Sequence, residues 1–290
     1  MMDCRDYIKA TSLQEAVEAL SCAEGGVKLL AGGTDLLVNA REGKPYRDKT
    51  VIDIYGLAEL CRIEAEPDWI AIGAGVTHAQ IERSPLIGKE AAVLADACRT
   101  VGSPQIRNHA TIGGNIANAS PAADSLAALS VLEAEVEINR LGAVRRLPLG
   151  EVIDKPYRTT LGERDLITRV WIRREPAGTR FHFYKLGRRK ALSISRMTIA
   201  TLLRLDEGGV VGKFHMTMGA TFPKPMLFAD VDAMLTGKKP SQADIADVAA
   251  ALSGKIPLIA GIRPSTAYKQ PVCNKMVRRI LNDLLGGNEA

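Results

Sequence analysis

Leu29-Leu-Ala-Gly-Gly-Thr-Asp-Leu36 passes from a buried strand, through two glycines, into a helix. The apolar run Val27 to Ala31 reads as the strand. Gly32-Gly33 break it, and Thr34-Asp35 open a helix whose apolar positions are Leu36, Leu37 and Ala40. Glycine lets a backbone approach a ligand closely. The free N–H groups and the dipole of a helix start favour phosphate. The same residues also fit a plain strand-to-helix turn capped by Thr34 or Asp35, so this stretch alone leaves both readings open.

A second diglycine stands at Thr111-Ile-Gly-Gly-Asn115, followed by Ile116-Ala-Asn-Ala-Ser-Pro-Ala-Ala-Asp124. It falls in Thr100 to Ala122, a stretch rich in Gly, Asn, Ser and Pro that reads as one long loop, and long loops in compact domains are usually functional. Its uncharged polar groups suit a pyrophosphate, with Asp124 accepting from a ribose hydroxyl. The alternative is an Asn-rich turn capped by Ser120 and Asp124. Two such segments in one domain favour a dinucleotide clamp over two coincidental turns.

Outward from these segments, strand and helix signals alternate. Ser12-Leu-Gln-Glu15 has the capping-box pattern and opens a helix over Leu13 to Leu20. Thr50 to Ile54 reads as a strand, completing a βαβ-like unit. A hairpin is expected over Leu60 to Glu64 and Trp69 to Gly73, then a capped short helix from Thr77 to near Arg83, and an alanine-rich helix over Ile87 to Arg99. Helix Ala123 to Leu132 and strands near Glu135 to Asn139, Val144 to Leu147 and Asp165 to Ile172 follow. Past a linker at Arg173 to Thr179 the pattern turns antiparallel: Arg180 to Lys185, Thr198 to Asp206 and Val210 to Met218, with Glu207-Gly208-Gly209 as a turn. Helices near Lys224 to Leu235, Ser241 to Leu252 and Ser265 to Leu285 close the chain. The expected division is 1–176 (subdomains about 1–58 and 59–176) and 177–290.

Other chemistries find little support. Gly73-Ala-Gly75 lacks the third glycine of a dinucleotide fingerprint, because His78 stands in its place. There is no phosphate loop ending in Gly-Lys-Ser/Thr and no Gly-x-Ser-x-Gly elbow. His78, His109, His182 and His215 are scattered without metal-ligand spacing; His109, inside the long loop, is the one to test first. Cys4, Cys22, Cys61, Cys98 and Cys273 are odd in number and widely spaced, which points to reduced thiols and a cytoplasmic protein. Cys98 reads as packing. No secretory signal and no membrane span are expected. The net charge of +5 is spread over short runs such as Arg188-Arg189-Lys190, with no interleaved aromatics for nucleic acid. These read as solvated faces, with docking of an acidic partner as the alternative.

At the two diglycine segments the chain resembles the FAD-binding (medium) subunits of the xanthine dehydrogenase and carbon monoxide dehydrogenase family of molybdenum hydroxylases. Leu30-Ala-Gly-Gly-Thr-Asp-Leu36 is similar to that family's first FAD segment. Gln105-Ile-Arg-Asn108, Ala110-Thr-Ile-Gly-Gly-Asn115 and Ala119-Ser-Pro-Ala-Ala-Asp124 are similar to its second. Tyr184-Lys-Leu-Gly-Arg-Arg-Lys190 and Arg263-Pro-Ser-Thr-Ala-Tyr268 resemble its C-terminal domain. The resemblance implies an α+β fold: an FAD-binding PCMH-type, vanillyl-alcohol-oxidase-like pair of subdomains, then a C-terminal α/β domain with a three-stranded antiparallel sheet and helices. By position, Leu29, Leu30, Ala31, Gly32, Gly33, Thr34, Asp35 and Leu36, with Thr111, Ile112, Gly113, Gly114 and Asn115, would hold the pyrophosphate and adjacent ribityl. Asp124 would meet a sugar hydroxyl, and Val101, Leu166 and Lys185 would lie near the flavin.

The implied function is electron transfer. A large molybdopterin subunit oxidises substrate, a small [2Fe–2S] subunit passes electrons to FAD here, and NAD+ or another acceptor takes them, in a dimer of heterotrimers. A family branch with a four-cysteine insert in this subunit is not matched, so no iron–sulfur cluster is expected in this chain. No catalytic side chain and no metal ligand are assigned. The rivals are a self-sufficient flavin enzyme of the same fold and a non-enzymatic nucleotide-binding module.

Overall fold

The computed structural model describes residues 3–189 and 192–286; Lys190, at the end of the Tyr184 to Lys190 segment, lies outside them. The chain forms two compact units: residues 1–84, 101–120 and 133–174, and residues 85–100, 121–132 and 175–290.

The first unit begins with β1 (Cys4–Lys9), α1 (Leu13–Cys22), β2 (Gly26–Leu30), α2 (Leu36–Arg41) and β3 (Tyr46–Asp53). The strands make a three-stranded parallel sheet in the order β1-β3-β2. Ala16 and Leu20 of α1 pack with Val27, Ile52 and Leu166 in one apolar cluster. Ser12 caps α1 by accepting from the Glu15 N–H at 3.1 Å. The expected reciprocal bond is not made. The Glu15 carboxylate accepts instead from the N–H and hydroxyl of Thr11, one residue further out, at 2.7 and 2.6 Å. At the other end of α1, Arg164 donates to the carbonyls of Leu20, Ser21 and Ala23, which the helix leaves without partners.

The chain continues with β4 (Ile63–Ala65), β5 (Trp69–Gly73), α3 (His78–Arg83), α4 (Pro85–Glu90), α5 (Ala92–Arg99), α6 (Pro104–His109), α7 (Ile112–Asn118), α8 (Asp124–Val131), β6 (Glu135–Arg140), β7 (Ala143–Pro148), α9 (Leu149–Val152), β8 (Ile153–Lys155), β9 (Arg158–Thr159) and β10 (Asp165–Arg173). Helices α4, α5 and α8 belong to the second unit. The first unit's other large sheet is antiparallel, in the order β4-β5-β10-β6-β7. Its period-2 pattern buries Ile70, Ile72, Val136, Ile138, Val170 and Ile172 on one face. On the other, Glu137 accepts from Thr168 at 2.7 Å and from the Trp171 indole at 3.0 Å.

The stretch expected as a long loop is largely helical. Ser103 caps α6 with Pro104 in its first turn, and Thr111 caps α7. Tertiary bonds hold both: the Ile112 and Gly113 N–H groups donate to Val76 and Ala74 O, and His78 N–H donates to Ala110 O. His78 is fully buried, and its pKa is pushed down to about 4, first by burial and then by the Arg107 charge. The imidazole is therefore neutral when folded but takes a proton when unfolded. Its contribution to stability is complete above the unfolded value of 6.5 and is lost as pH falls toward about 4. The loss amounts to about 3 kcal/mol. Urea titrations between those limits should show this acid limb, and His78→Gln should flatten it.

The second unit adds β11 (Arg180–Leu186), β12 (Met197–Leu205), β13 (Val211–Gly219), α10 (Ala229–Asp232), α11 (Gln242–Ala260) and α12 (Thr266–Leu285). The three strands form an antiparallel sheet in sequence order. Phe214, Met216 and Met218 pack with Ile245, Val248, Leu252 and Val277 in its core. Three expectations are corrected. The alanine-rich helix is two helices, broken at Ala91. The helix expected from Lys224 is confined to α10, because Pro225 disfavours helical backbone at Lys224. Helix α11 runs on past Leu252, through Gly254 and Pro257, to Ala260.

Candidate functional site

Within the first unit, the turn after β2 meets the joint between α6 and α7. A Cβ on Gly32 would lie 1.9 Å from the His109 carbonyl oxygen, so only glycine allows the two backbones this close. Gly33 has φ +70°, a conformation that suits glycine. The first backbone bond of α2 runs from Leu37 N–H to Gly33 O at 3.0 Å, which leaves the N–H groups of Thr34 to Leu36 ahead of the helical ladder.

Across from this turn, Thr111 accepts from Gly114 N–H at 3.2 Å. The two glycines of α7 differ in purpose. Gly113 is tight packing, since its Cβ would fall 2.6 Å from that of Ala74, whereas a Cβ on Gly114 would approach only the Thr111 hydroxyl. The second diglycine is thus not a turn. One of its residues seats the helix and the other leaves an open backbone surface. Between the two segments lies a cavity of about 380 Å³ lined by Leu29, Ala31 to Leu36, Thr111, Gly114 and Asn115.

Asn118 and Lys28 also line it and were not singled out in the sequence. Thr111, Gly114, Asn115 and Asn118 have the i, i+3, i+4 spacing of one helix face, a signal hidden when the segment is read as a loop. Asp35 sits at the cap position of α2 but makes no cap bond. Its pKa is raised, burial outweighing the opposing influence of the Asn118 side-chain amide. A raised carboxylate pKa favours folding at low pH, and the benefit is lost as pH rises. Asp35→Asn should therefore raise the Tm of the FAD-free protein at neutral pH, with the gain vanishing below about pH 4.

The other expected residues stand elsewhere. Leu30 lies behind the turn, within 3.2 Å of a Cβ on Gly33, and Ile112 is fully buried. Leu166 is core. Val101 offers its carbonyl to Arg107 at 3.3 Å. His109 contributes its backbone, and its ring meets the Tyr55 hydroxyl at 3.2 Å. Asp124 and Lys185 belong to the second unit, where they form a buried ion pair at 2.6 Å. Thr100 and Ser195 also donate to that carboxylate. Both of its oxygens thus accept from residues of its own unit. Cys98 is buried, all five thiols are free, and the described residues hold no group of three or more metal-ligating side chains.

Residues 2–173 match the family described as FAD binding domain in molybdopterin dehydrogenase, and residues 182–284 match the CO dehydrogenase flavoprotein C-terminal domain. The chain belongs to the FAD-binding medium subunits of the xanthine and CO dehydrogenase family. This medium subunit is 35% identical to the nicotinate dehydrogenase FAD-subunit of Eubacterium barkeri, over 89% of this chain and 90% of that one. It is 31% identical to the xanthine dehydrogenase FAD-binding subunit of Escherichia coli O157:H7, over 78% and 77%. A solved carbon monoxide dehydrogenase from Hydrogenophaga pseudoflava, lacking the Mo-pyranopterin moiety of its cofactor, superposes with a TM-score of 0.88 at 27% identity, covering 97% of both chains. The medium subunit is thus an FAD-dependent oxidoreductase component with the expected α+β fold. No helix among the described residues is long and apolar enough to cross a membrane.

The residues of the cavity fit the group that the family binds. Bare N–H groups ahead of α2, the open Gly114 backbone and the neutral Thr111 and Asn115 side chains suit a diphosphate. The pinned contact between Gly32 and His109 fixes the distance between the two halves of that cradle.

Proposed function

We propose that this medium subunit holds FAD through Leu29, residues 31–36, Thr111, Gly114 and Asn115, with Asn118, and relays electrons from a partner's iron–sulfur clusters to NAD+ or another acceptor. The close approach of Gly32 to His109 beside the open Gly114 carries the assignment. FAD, when bound, supplies the redox chemistry, and the protein supplies binding and electrostatics. Thr34 to Leu36 present N–H groups to the diphosphate, Gly114 admits it, and Thr111 holds the first turn of α7 in place. In this reading a small [2Fe–2S] subunit and a large molybdopterin subunit complete the assembly as a dimer of heterotrimers in the cytoplasm. Rapid mixing of the purified assembly with substrate should bleach the flavin absorbance, and NAD+ should restore it with formation of NADH. An assembly free of iron and molybdenum, or a colourless medium subunit after reconstitution with FAD, would end this reading.

A further inference from the structure

We infer that one corner of the second unit, built around Arg196, Arg263 and Lys269, docks a carboxylate-rich face of a partner subunit in the same assembly; this rests on the function proposed above. Three chain segments form the corner. Ser195 is buried and turned to Asp124, so its neighbours Ile194 and Arg196 both face outward; Ile194 is 81% exposed. The pairing of Thr198 with Gly219 brings Arg196 to the same sheet end as Ala220, whose carbonyl accepts from the Lys269 ammonium at 2.8 Å. Arg263 is fixed at the entry to α12 by paired bonds with Thr266, at 2.9 and 2.8 Å. Next to it Ile262 is 90% exposed, with Leu258 at 83% and Tyr268 at 46%.

Charge identifies the occupant. Residues 176–205, 208–229 and 248–282 contain no Asp or Glu at all. Among the described residues no carboxylate pairs with Arg196, Arg263 or Lys269. The Lys269 pKa is lowered by burial first and then by the Arg263 and Arg196 charges, so both guanidinium groups bear on the Lys269 ammonium in the isolated chain. An acidic surface offsets those charges and steers its own approach. The exposed Ile, Leu and Tyr between the cations need apolar cover, which a folded protein face supplies and a small anion does not.

The test is assembly. The medium subunit is co-expressed with its iron–sulfur and molybdenum subunits, and their stoichiometry is measured in pull-downs on this chain. Arg196→Glu/Arg263→Glu and Ile262→Ser should each cut the recovered partner at least about tenfold. Bound FAD and the Tm of the free chain should be unchanged, and wild-type assembly should weaken as salt rises. Lys275→Glu/Arg278→Glu, the same charge change elsewhere on α12, should leave assembly intact. Wild-type recovery with the corner variants, or an equal loss with the control, overturns the inference while leaving the proposed function standing. A wild-type chain that captures neither partner overturns both.

Discussion

Gly32→Ala is expected to abolish FAD retention and to destabilise the first unit together. The added Cβ falls 1.9 Å from the His109 carbonyl oxygen, and that atom is backbone, with no rotamer to turn it aside. The turn after β2 and the α6–α7 joint must separate. Overpacking of this kind costs about 1–3 kcal/mol. The displacement also pulls the N–H groups of Thr34 to Leu36 away from the α7 side of the cavity. Gly114→Asp makes the contrasting case. A Cβ at Gly114 crowds only the Thr111 hydroxyl, at 2.9 Å, a side-chain tip that can turn away at the cost of its cap bond, about 1 kcal/mol, so the fold should survive while a carboxylate enters the diphosphate position. Two like charges at 4 Å repel by about 4 kcal/mol at an effective dielectric of 20, and half of that still weakens FAD binding roughly 30-fold. Flavin titration and urea denaturation on both variants separate the effects. If Gly32→Ala keeps its flavin, or Gly114→Asp binds FAD like wild type, the cradle lies elsewhere.

The two halves of that cradle were not equally legible in the sequence. The β2-to-α2 half was plain because two glycines interrupt an apolar run, and both the burial and the turn follow from those residues. The α7 half reads as loop because Ile112–Asn118 has two glycines and two asparagines in seven residues. Such a segment has poor intrinsic helix propensity and becomes helical through bonds to Ala74 and Val76, far away in sequence. Strand β1 was missed for another physical reason. It is an edge strand with a mostly exposed burial pattern, so it lacks the apolar alternation that marks a strand. The C-terminal sheet was legible because β12 is an almost continuous apolar run, with β11 and β13 alternating apolar and polar residues on either side of it. Asp124 was legible as the acidic residue that closes the second diglycine segment, and Lys185 only as a family position. Nothing in their spacing told that they bond each other.

Lys185→Met should cost about 3–5 kcal/mol in the FAD-free protein, because removing one partner of a buried ion pair strands the other charge. Lys185 donates to the Thr100 carbonyl at 2.8 Å and to Asp124 at 2.6 Å, with side chains only 15% and 5% exposed. Thr100 and Ser195 still donate to the carboxylate in the variant, but neither brings a positive charge. Asp124→Asn strands the ammonium instead and should be harmful for the mirror reason. The double variant Lys185→Met/Asp124→Asn buries no net charge, so it should be more stable than the sum of the two single losses implies, with a coupling measurable by a double-mutant cycle. Urea denaturation of the four proteins without FAD decides the matter. A Lys185→Met chain as stable as wild type when empty, yet weak in FAD binding, would show that this lysine serves the flavin and not the fold of the second unit.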